Sequence, residues 1–377
     1  MEAVANSYAH GRGVDQDMLT ALSWLIKSSE AGHYAVIQTD SNKDNKQFTD
    51  SINHAEEFFR RQAESGDSTS QVKLGYMYYT LLISSQGSQV SNLEDSMAQA
   101  KGWFLRAAEN GNTAAQILLG NMSNQYIFVS ERPNPEEALK WFQMAAGKNN
   151  AYAQYSLAII YRNNSDIKYP VSKSIPKNIN QAEEWALKSA NQGFSLAQTL
   201  LGVLLLEKGN SDAEALAWLQ KSANQSDPHA FVLIGDIYAN GRGVPKNFVQ
   251  AITWYRKAID EFNSQTAYAR LGQVYEDGLG VPKDNVQAVR YYENAVDGIG
   301  LGNVIHVKLA HMYEHGIGTS VDGSKAILHY TLAAIGGDVE SMKILQKINE
   351  NGLLNSPINL ESAQHWKEAI IKAEGSK

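Results

Sequence analysis

The residues in this sequence that most suggest chemistry are two histidines one helical turn apart, His311 and His315, in a His-Met-Tyr-Glu-His segment. The spacing matches the H-x-x-E-H pattern of inverted zinc proteases, in which two imidazoles hold the metal and the glutamate acts as a base. The corresponding upstream segments, 273–277 and 236–240, read Gln-Val-Tyr-Glu-Asp and Asp-Ile-Tyr-Ala-Asn, so the tyrosine and the spacing belong to a repeating template. His306 could add a third nitrogen, but no carboxylate ligand follows in a fitting helix. We expect no catalytic metal, no cofactor and no enzymatic activity, and keep a metal-dependent hydrolase at the two histidines as an alternative.

Paired glycines at 11–13, 241–243, 278–280 and 316–318 resemble phosphate-binding loops. A dinucleotide-binding loop needs a preceding strand and a third glycine. Helical sequence precedes these pairs, and no strand is indicated anywhere in the chain. Glycine readily adopts a positive φ, so we interpret the pairs as tight turns between helices.

The composition excludes several classes of function. The 377 residues contain no cysteine, which excludes disulfide scaffolds, cysteine-based zinc sites and thiol catalysis. The net charge is −7 and no block of Lys or Arg occurs, whereas nucleic-acid binding needs a basic stripe. No apolar run approaches the ~20 residues of a transmembrane segment. We therefore expect a protein partner, and neither nucleic acid nor a membrane span.

The elements that position these residues are helices, because an Ala-x-x-aromatic pattern recurs at near-constant spacing. All seven tryptophans of the chain fall in its aromatic slot. The pairs are Ala21/Trp24, Ala55/Phe58, Ala100/Trp103, Ala138/Trp141, Ala182/Trp185, Ala215/Trp218, Ala251/Trp254, Ala288/Tyr291, Ala326/His329 and Ala363/Trp366. Apolar residues three and four apart around each aromatic residue indicate an amphipathic helix.

A second helix in each unit carries a Leu-Gly-x-x-Tyr signature or a close variant. Examples are Leu74-Gly75-x-x-Tyr78, Leu157-Ala158-x-x-Tyr161, Ile234-Gly235-x-x-Tyr238, Leu271-Gly272-x-x-Tyr275 and Leu309-Ala310-x-x-Tyr313. A glycine inside a helix costs about 1 kcal/mol relative to alanine. Its recurrence suggests close approach of the partner helix, with the Trp, Tyr and Leu side chains in the core.

This combination, clearest in residues 230–244 and 251–258, resembles the Sel-one-like repeat family, a branch of the tetratricopeptide-like solenoids. The resemblance implies an all-α fold, a right-handed α/α superhelical solenoid of about ten helix-turn-helix repeats. We expect residues 1–377 to form one such solenoid, with a truncated first repeat and a terminal helix at about 361–373. The family mostly supplies protein-binding scaffolds with unrelated partners.

Three departures from the pattern affect the interpretation. The first unit is cut short, so we expect a segment to precede Met1. If that segment is a signal peptide the protein is periplasmic or secreted, and otherwise it is cytoplasmic, so the compartment stays open. The second unit lacks the first-helix signature over 38–51, and we expect long inter-helix loops at 80–98 and 162–179.

The first helix of each pair should line the concave wall of a solenoid, which related folds use for ligand contact. Helical geometry places the exposed positions of this helix three residues before the Gly slot, one after it, and one after the Tyr slot. The partner-binding residues expected on this basis are Tyr76, Tyr79, Asn121, Tyr155, Arg162, Asp236, Gln273, Glu276, His311 and Glu314. The row changes from aromatic in the N-terminal half to acidic in the C-terminal half.

We interpret the chain as a monomeric scaffold or adaptor that binds a folded domain or an extended peptide in its concave groove. An alternative to a general scaffold, which also binds a protein, is an immunity protein that neutralises a secreted toxin, such as a type VI secretion phospholipase effector. An acidic groove facing basic toxin residues would be expected of it. The sequence does not decide whether the groove or the two long loops make the contact.

Overall fold

The computed structural model describes residues 3, 5, 7, 18–30, 46–84, 90–124, 133–162, 175–209, 211–296 and 302–374. These residues form eighteen α-helices and no strand. The first nine are α1 Met18–Glu30, α2 Lys46–Glu64, α3 Ser68–Ser84, α4 Val90–Glu109, α5 Thr113–Asn124, α6 Pro135–Gly147, α7 Ala151–Arg162, α8 Ile179–Asn191 and α9 Ser195–Lys208. The remaining nine are α10 Asp212–Ala223, α11 Pro228–Asn240, α12 Phe248–Phe262, α13 Gln265–Asp277, α14 Asn285–Ala295, α15 Gly302–His315, α16 Gly323–Ile335, α17 Val339–Asn351 and α18 Leu360–Glu374.

Successive helices pair into hairpins, and this confirms the predicted all-α repeat solenoid. We call the first helix of a hairpin the A helix and the second the B helix. The packed A and B pairs are α3 with α4, α5 with α6, α7 with α8, α11 with α12, α13 with α14, α15 with α16 and α17 with α18. The chain divides into two compact units, unit 1 at 1–204 and unit 2 at 205–377.

The segment 80–98 is mostly helical, so the prediction of a long loop there is wrong. Helix α3 continues to Ser84 and α4 begins at Val90, and residues 85–89 lie outside the described part of the chain. The segment contains no proline, so nothing prevents both helices from adding turns. Of the other predicted loop, 162–179, residues 163–174 lie outside the described part.

An Asn or Asp before the B helix closes the hairpins. Its side chain accepts a hydrogen bond from the backbone N–H three residues on, at 3.0–3.1 Å, which satisfies a helix N-terminus. Its own N–H donates to a carbonyl near the end of the preceding A helix, at 2.7–2.9 Å. These residues are Asn134, Asn178, Asn247, Asp284, Asp322 and Asn359. The same interaction therefore sets the A-to-B geometry in six hairpins.

The glycine pairs of unit 2 are left-handed turns, as predicted. All six glycines at 241, 243, 278, 280, 316 and 318 have φ between 65° and 72°, a range that a side chain disfavours. The first pair, at 11–13, lies outside the described residues.

The glycine in the A helix permits close packing, as predicted, but the ring that fills the space is not the tryptophan. A Cβ on Gly120 would lie 2.8 Å from the ring of Phe142, and one on Gly272 would lie 2.5 Å from that of Tyr292. Both rings belong to the residue after the aromatic slot, and both are buried.

The prediction that every tryptophan is a core residue is only partly right. Trp103 and Trp141 are buried, but Trp185, Trp218 and Trp254 are partly exposed. The amines of the lysines one helical turn further on lie 4.2, 3.7 and 4.9 Å from the centroids of these three rings. Each of these three indoles is therefore in cation–π contact with a lysine of its own helix.

Candidate functional site

The row of A-helix residues expected to bind a partner reaches the surface in unit 2. We call Asp236, Gln273, Glu276, His311 and Glu314 the A-row. Gln273 and His311 are exposed, and the side chains of the three acids are 25, 27 and 29% exposed in chain order. These residues lie on α11, α13 and α15, which are successive A helices.

A buried tyrosine fixes each carboxylate of the A-row. The hydroxyl of Tyr255 donates to Asp236 at 2.7 Å, that of Tyr292 to Glu276 at 2.6 Å, and that of Tyr330 to Glu314 at 2.7 Å. All three rings are buried and come from the B helix of the same hairpin. Hydrogen bonds from the buried side of the hairpin thus fix the three carboxylates, so this surface is ordered before a partner binds.

The next A helix supplies a cation to two of the three acids. Arg270 makes two hydrogen bonds to Asp236, at 2.8 and 3.0 Å, and Lys308 donates to Glu276 at 2.6 Å. Burial alone would raise the pKa of Glu276, but the hydrogen bonds from Lys308 and Tyr292 outweigh it and the pKa lies below its usual value. The row is therefore charge-paired over α11–α15 rather than acidic, contrary to the expectation from sequence.

Glu314 ends this series of ion pairs. Arg270, the cation that pairs with Asp236, is the sixth residue after the N-cap of its helix. The equivalent residue of the next A helix, α17, is Ile344, which carries no charge. Within the described residues, Glu314 accepts from Tyr330 and has His315 Nδ1 at 3.8 Å, and it contacts no lysine or arginine. Its carboxylate therefore remains available to a cation from outside the chain.

A cavity of about 340 Å³ opens beside the first ion pair of the A-row. Its polar lining includes Asp236 and Gln273 of the A-row together with Asn240, Lys246 and Arg270, and Phe248 contributes an apolar wall. This volume accommodates a single protruding side chain of a partner.

In unit 1 the expectation of an exposed row is wrong for three residues. Tyr76 is fully buried, and Tyr79 and Asn121 are 6 and 5% exposed. Helix α1 packs against both α3 and α5, the helices that carry these residues, and Asn121 also accepts a hydrogen bond from Tyr152 of α7. Tyr155 and Arg162 on α7 are partly exposed.

The histidines do not form the metal site that H-x-x-E-H suggests. His311 and His315 stack with ring centroids 4.3 Å apart, and His315 Nδ1 lies 3.1 Å from the backbone oxygen of His311. His306 instead meets His329, with 2.9 Å between their Nδ1 atoms. The described residues contain no group of three His, Cys, Asp or Glu side chains arranged to hold a metal ion.

Among the described residues, no helix combines the length and apolarity needed to cross a bilayer.

Burial of His329 beside His306 is expected to make unit 2 sensitive to acid. Burial and then the neighbouring His306 lower the pKa of His329 from 6.5 to about 4, although Glu293 acts in the opposite direction. Because the unfolded chain takes up this proton more readily, stability is expected to fall as the pH is lowered from 6.5 towards 4. Thermal unfolding of the wild type and of His329→Phe across this range checks the prediction. An equal decrease in Tm for both proteins would contradict it.

Sequence reasoning missed the three tyrosines and the two cations that organise the A-row. A usable signal was present, because the residue after the aromatic slot is Phe104 and Phe142 in unit 1 but Tyr255, Tyr292 and Tyr330 in unit 2. A hydroxyl at a core position needs a partner, which a carboxylate of the A helix provides. Nothing in the pattern indicated that α1 would lie on α3 and α5.

Comparison with known families identifies the repeat. The Sel1 repeat model matches eight segments that together cover most of the chain. They are residues 1–33, 68–112, 113–150, 151–194, 195–227, 232–261, 265–298 and 306–338.

A curated relative and two solved structures are similar to this chain. An uncharacterized protein of Neisseria meningitidis is 27% identical over 143 residues, a match that covers 31% of this chain and only 30% of that protein. A Sel1 repeat protein from Oxalobacter formigenes aligns with a TM-score of 0.63 at 23% identity, covering 89% of this chain and 92% of the other. A protective antigen of uropathogenic Escherichia coli with an SLR fold aligns with a TM-score of 0.60 at 24% identity, covering 84% of this chain and 64% of the antigen. At these identities the two structures show the fold alone.

Proposed function

The chain belongs to the Sel1 repeat family, and from that premise we propose that it is a non-catalytic scaffold that binds a protein partner along the A-row of unit 2. Proteins of this family are generally protein-interaction scaffolds. The proposal assigns the contact to the face that we expect to be concave, and to residues that reach the surface there.

The observation that carries the proposal is the fixed position of the three A-row carboxylates. Each accepts a hydrogen bond from a buried tyrosine, and two are also bonded to a cation of the next A helix. A surface already ordered in this way loses little conformational entropy when a partner binds.

The chemistry of the row indicates what the partner presents. No lysine or arginine of the described residues contacts Glu314, and its carboxylate suits a lysine or arginine of the partner. Exposed Gln273 and His311 offer hydrogen bonds, and the cavity beside Asp236 has room for one side chain. An extended peptide or a protruding loop of a folded domain meets these requirements along the row.

The immunity-protein alternative is a special case of the same binding. It calls for an acidic groove facing a basic toxin, and Arg270 and Lys308 neutralise two of the three acids. Charge pairing therefore favours a mixed partner surface over a strongly basic one. The metal-dependent hydrolase alternative calls for a third ligand beside His311 and His315, and His306 bonds to His329 instead.

Site-specific crosslinking in the native cell tests the proposal and captures the partner in the same step. The chain has no cysteine, so single cysteines in place of Gln273 or His311 can each carry a photoreactive group. Val286 on α14 and Ile335 on α16, which are 57 and 73% exposed, are matched positions on B helices. We expect the same protein to be captured from both A-row positions and not from the B-helix positions. Capture from Ile335 alone would place the site on another face and contradict the proposal.

A further inference from the structure

One position of the A helix differs among the three hairpins that carry the A-row. Four residues after the glycine slot or its equivalent, α13 has Glu276 and α15 has Glu314, but α11 has Ala239. Ala239 lines the cavity that opens beside Asp236. The cavity therefore borders the position at which the next two A helices carry a glutamate.

The turn before the B helix brings a lysine to the first two of these hairpins. Lys246 and Lys283 each lie five residues after the first glycine of the turn, where the third hairpin has Val321. The two turns fold alike, since a Cβ on that glycine would lie 3.0 Å from the Cβ of Lys246 in one and 3.2 Å from that of Lys283 in the other. Lys283 acts electrostatically on Glu276. Lys246 makes no ion pair among the described residues, and its amine lies 4.7 Å from the ring centroid of Phe248 in the cavity wall.

The other polar groups of the cavity are mainly hydrogen-bond donors. Arg270 donates to Asp236 through Nε and Nη2, so its Nη1 makes no hydrogen bond among the described residues. Both oxygens of Asp236 already accept, Oδ1 from Tyr255 and Arg270 and Oδ2 from Arg270. The exposed amide of Gln273 adds a further donor. With Lys246 the cavity has a surplus positive charge and unused N–H groups, which an anion satisfies and a cation does not.

We propose that this cavity takes a glutamate side chain of the partner, whose carboxylate meets Lys246 and Arg270 in place of the acid that Ala239 lacks. The inference rests on the proposed function and names the chemistry that the partner presents at one end of the A-row. Bonds from cations to a carboxylate are the stronger kind of hydrogen bond, and Phe248 offers an apolar wall to the methylene groups. A longer side chain at Gln273 would occupy the cavity itself, whatever its charge.

The two ends of the A-row then require opposite charges of the partner. Glu314 lies two A helices away from α11, and packed neighbouring helices are about 8–10 Å apart. Two such steps are roughly 20 Å, which about six residues of an extended chain span. A segment with a glutamate and a lysine or arginine about six residues apart therefore fits both ends.

NMR titration with a small probe tests the cavity without the partner. The probe is N-acetylglutamic acid α-amide, whose only charge is the side-chain carboxylate, and N-acetylglutamine α-amide is its neutral isostere. We expect the acidic probe to shift the backbone amide resonances of residues 239–246 and 270–274 saturably, with a Kd of about 1–10 mM. The neutral probe should bind at least about tenfold more weakly. Equal binding of both probes, or no saturable shift up to about 50 mM, would overturn the proposal.

Three variants assign the binding to the cavity. Lys246→Gln removes the cation from an exposed position, so the core is not disturbed. Ala239→Glu restores the glutamate of the next two A helices, so the chain fills its own cavity. Each is expected to weaken binding of the acidic probe at least about tenfold, whereas Lys283→Gln, the matched lysine of the next turn, should not change it. Undiminished binding to Lys246→Gln would refute the assignment.

Two further comparisons separate the possible outcomes. N-acetylalanine carries its carboxylate at a chain end, and tighter binding of this compound than of the acidic probe would overturn the assignment to a side chain. A partner captured from Gln273 and His311 together with no probe binding would refute this inference alone. Probe binding without any captured partner would refute the proposed function and leave the chemistry of the cavity in place.

Discussion

Gly272→Ala is expected to lower the free energy of unfolding of unit 2 by about 1–3 kcal/mol, because the new methyl group would overlap a buried ring. A Cβ at this position would lie 2.5 Å from the Cδ1 and Cε1 atoms of Tyr292, whose ring cannot swing into solvent. Alanine favours the helix by up to about 1 kcal/mol, which offsets only part of this loss. Urea denaturation followed by circular dichroism gives the difference.

Gly102→Ala is the matched control, because Gly102 lies inside α4 and a Cβ there would meet nothing within 4 Å. This substitution is expected to stabilise the chain by about 0.5–1 kcal/mol through helix propensity alone. If both alanine variants are stabilised, close packing of the A-helix glycine on the B-helix ring is not what the repeat depends on.

Tyr292→Phe is expected to destabilise unit 2 by about 1.5 kcal/mol at neutral pH, because the hydroxyl that holds Glu276 is lost. The figure is at the lower end for a charge-assisted hydrogen bond, since the carboxylate is 27% exposed. Phe142 occupies the same slot in unit 1, so the packing should tolerate the ring without its hydroxyl. The effect then comes from the hydrogen bond and not from a cavity.

The pH dependence of the stability of Tyr292→Phe distinguishes a lost hydrogen bond from a cavity. The pKa of Glu276 is lower in the folded state than its ordinary 4.5, so its stabilising effect is present above that pH. It is lost as the pH falls through the depressed value, and the wild type and the variant should converge in stability there. Tyr238→Phe, whose hydroxyl makes no hydrogen bond within the described residues, should show no such dependence. A constant gap between Tyr292→Phe and the wild type down to acidic pH would contradict the assignment.

The fold could be predicted from sequence because the repeat uses strong, local signals. The tryptophan spacing, the A-helix glycine and the left-handed turn glycines are each recognisable within one hairpin, and eight segments of the chain match the Sel1 repeat. The last helix, expected at about 361–373, spans Leu360–Glu374. The sequence does not decide which ring fills the space above the glycine, because Trp254 and Tyr255 are adjacent and a helical period alone does not choose between them.

The exposure of the candidate site residues could be predicted from sequence only where the helices packed against them follow the repeat pattern. Position within the repeat correctly predicted that Gln273 and His311 are exposed, since each directly follows the buried glycine slot or its equivalent. The same reasoning failed for Tyr76 and Asn121, because α1 packs against the helices that carry them and Tyr152 of α7 donates a hydrogen bond to Asn121. Pairing of Asp236 with Arg270 joins two hairpins, and a pattern read one repeat at a time does not reveal such contacts.

Calorimetric titration of the captured partner tests the central claim that recognition takes place on the A-row. Gln273→Arg places a long cation at the cavity, and Glu314→Lys reverses the acid that no lysine or arginine of the described residues contacts. Each is expected to weaken binding at least about tenfold, or 1.4 kcal/mol. Val286→Arg on α14 adds a similar cation to an exposed B-helix position and should leave the affinity unchanged. Affinities for Gln273→Arg and Glu314→Lys that equal the wild-type value, with both variants folded, would contradict the claim.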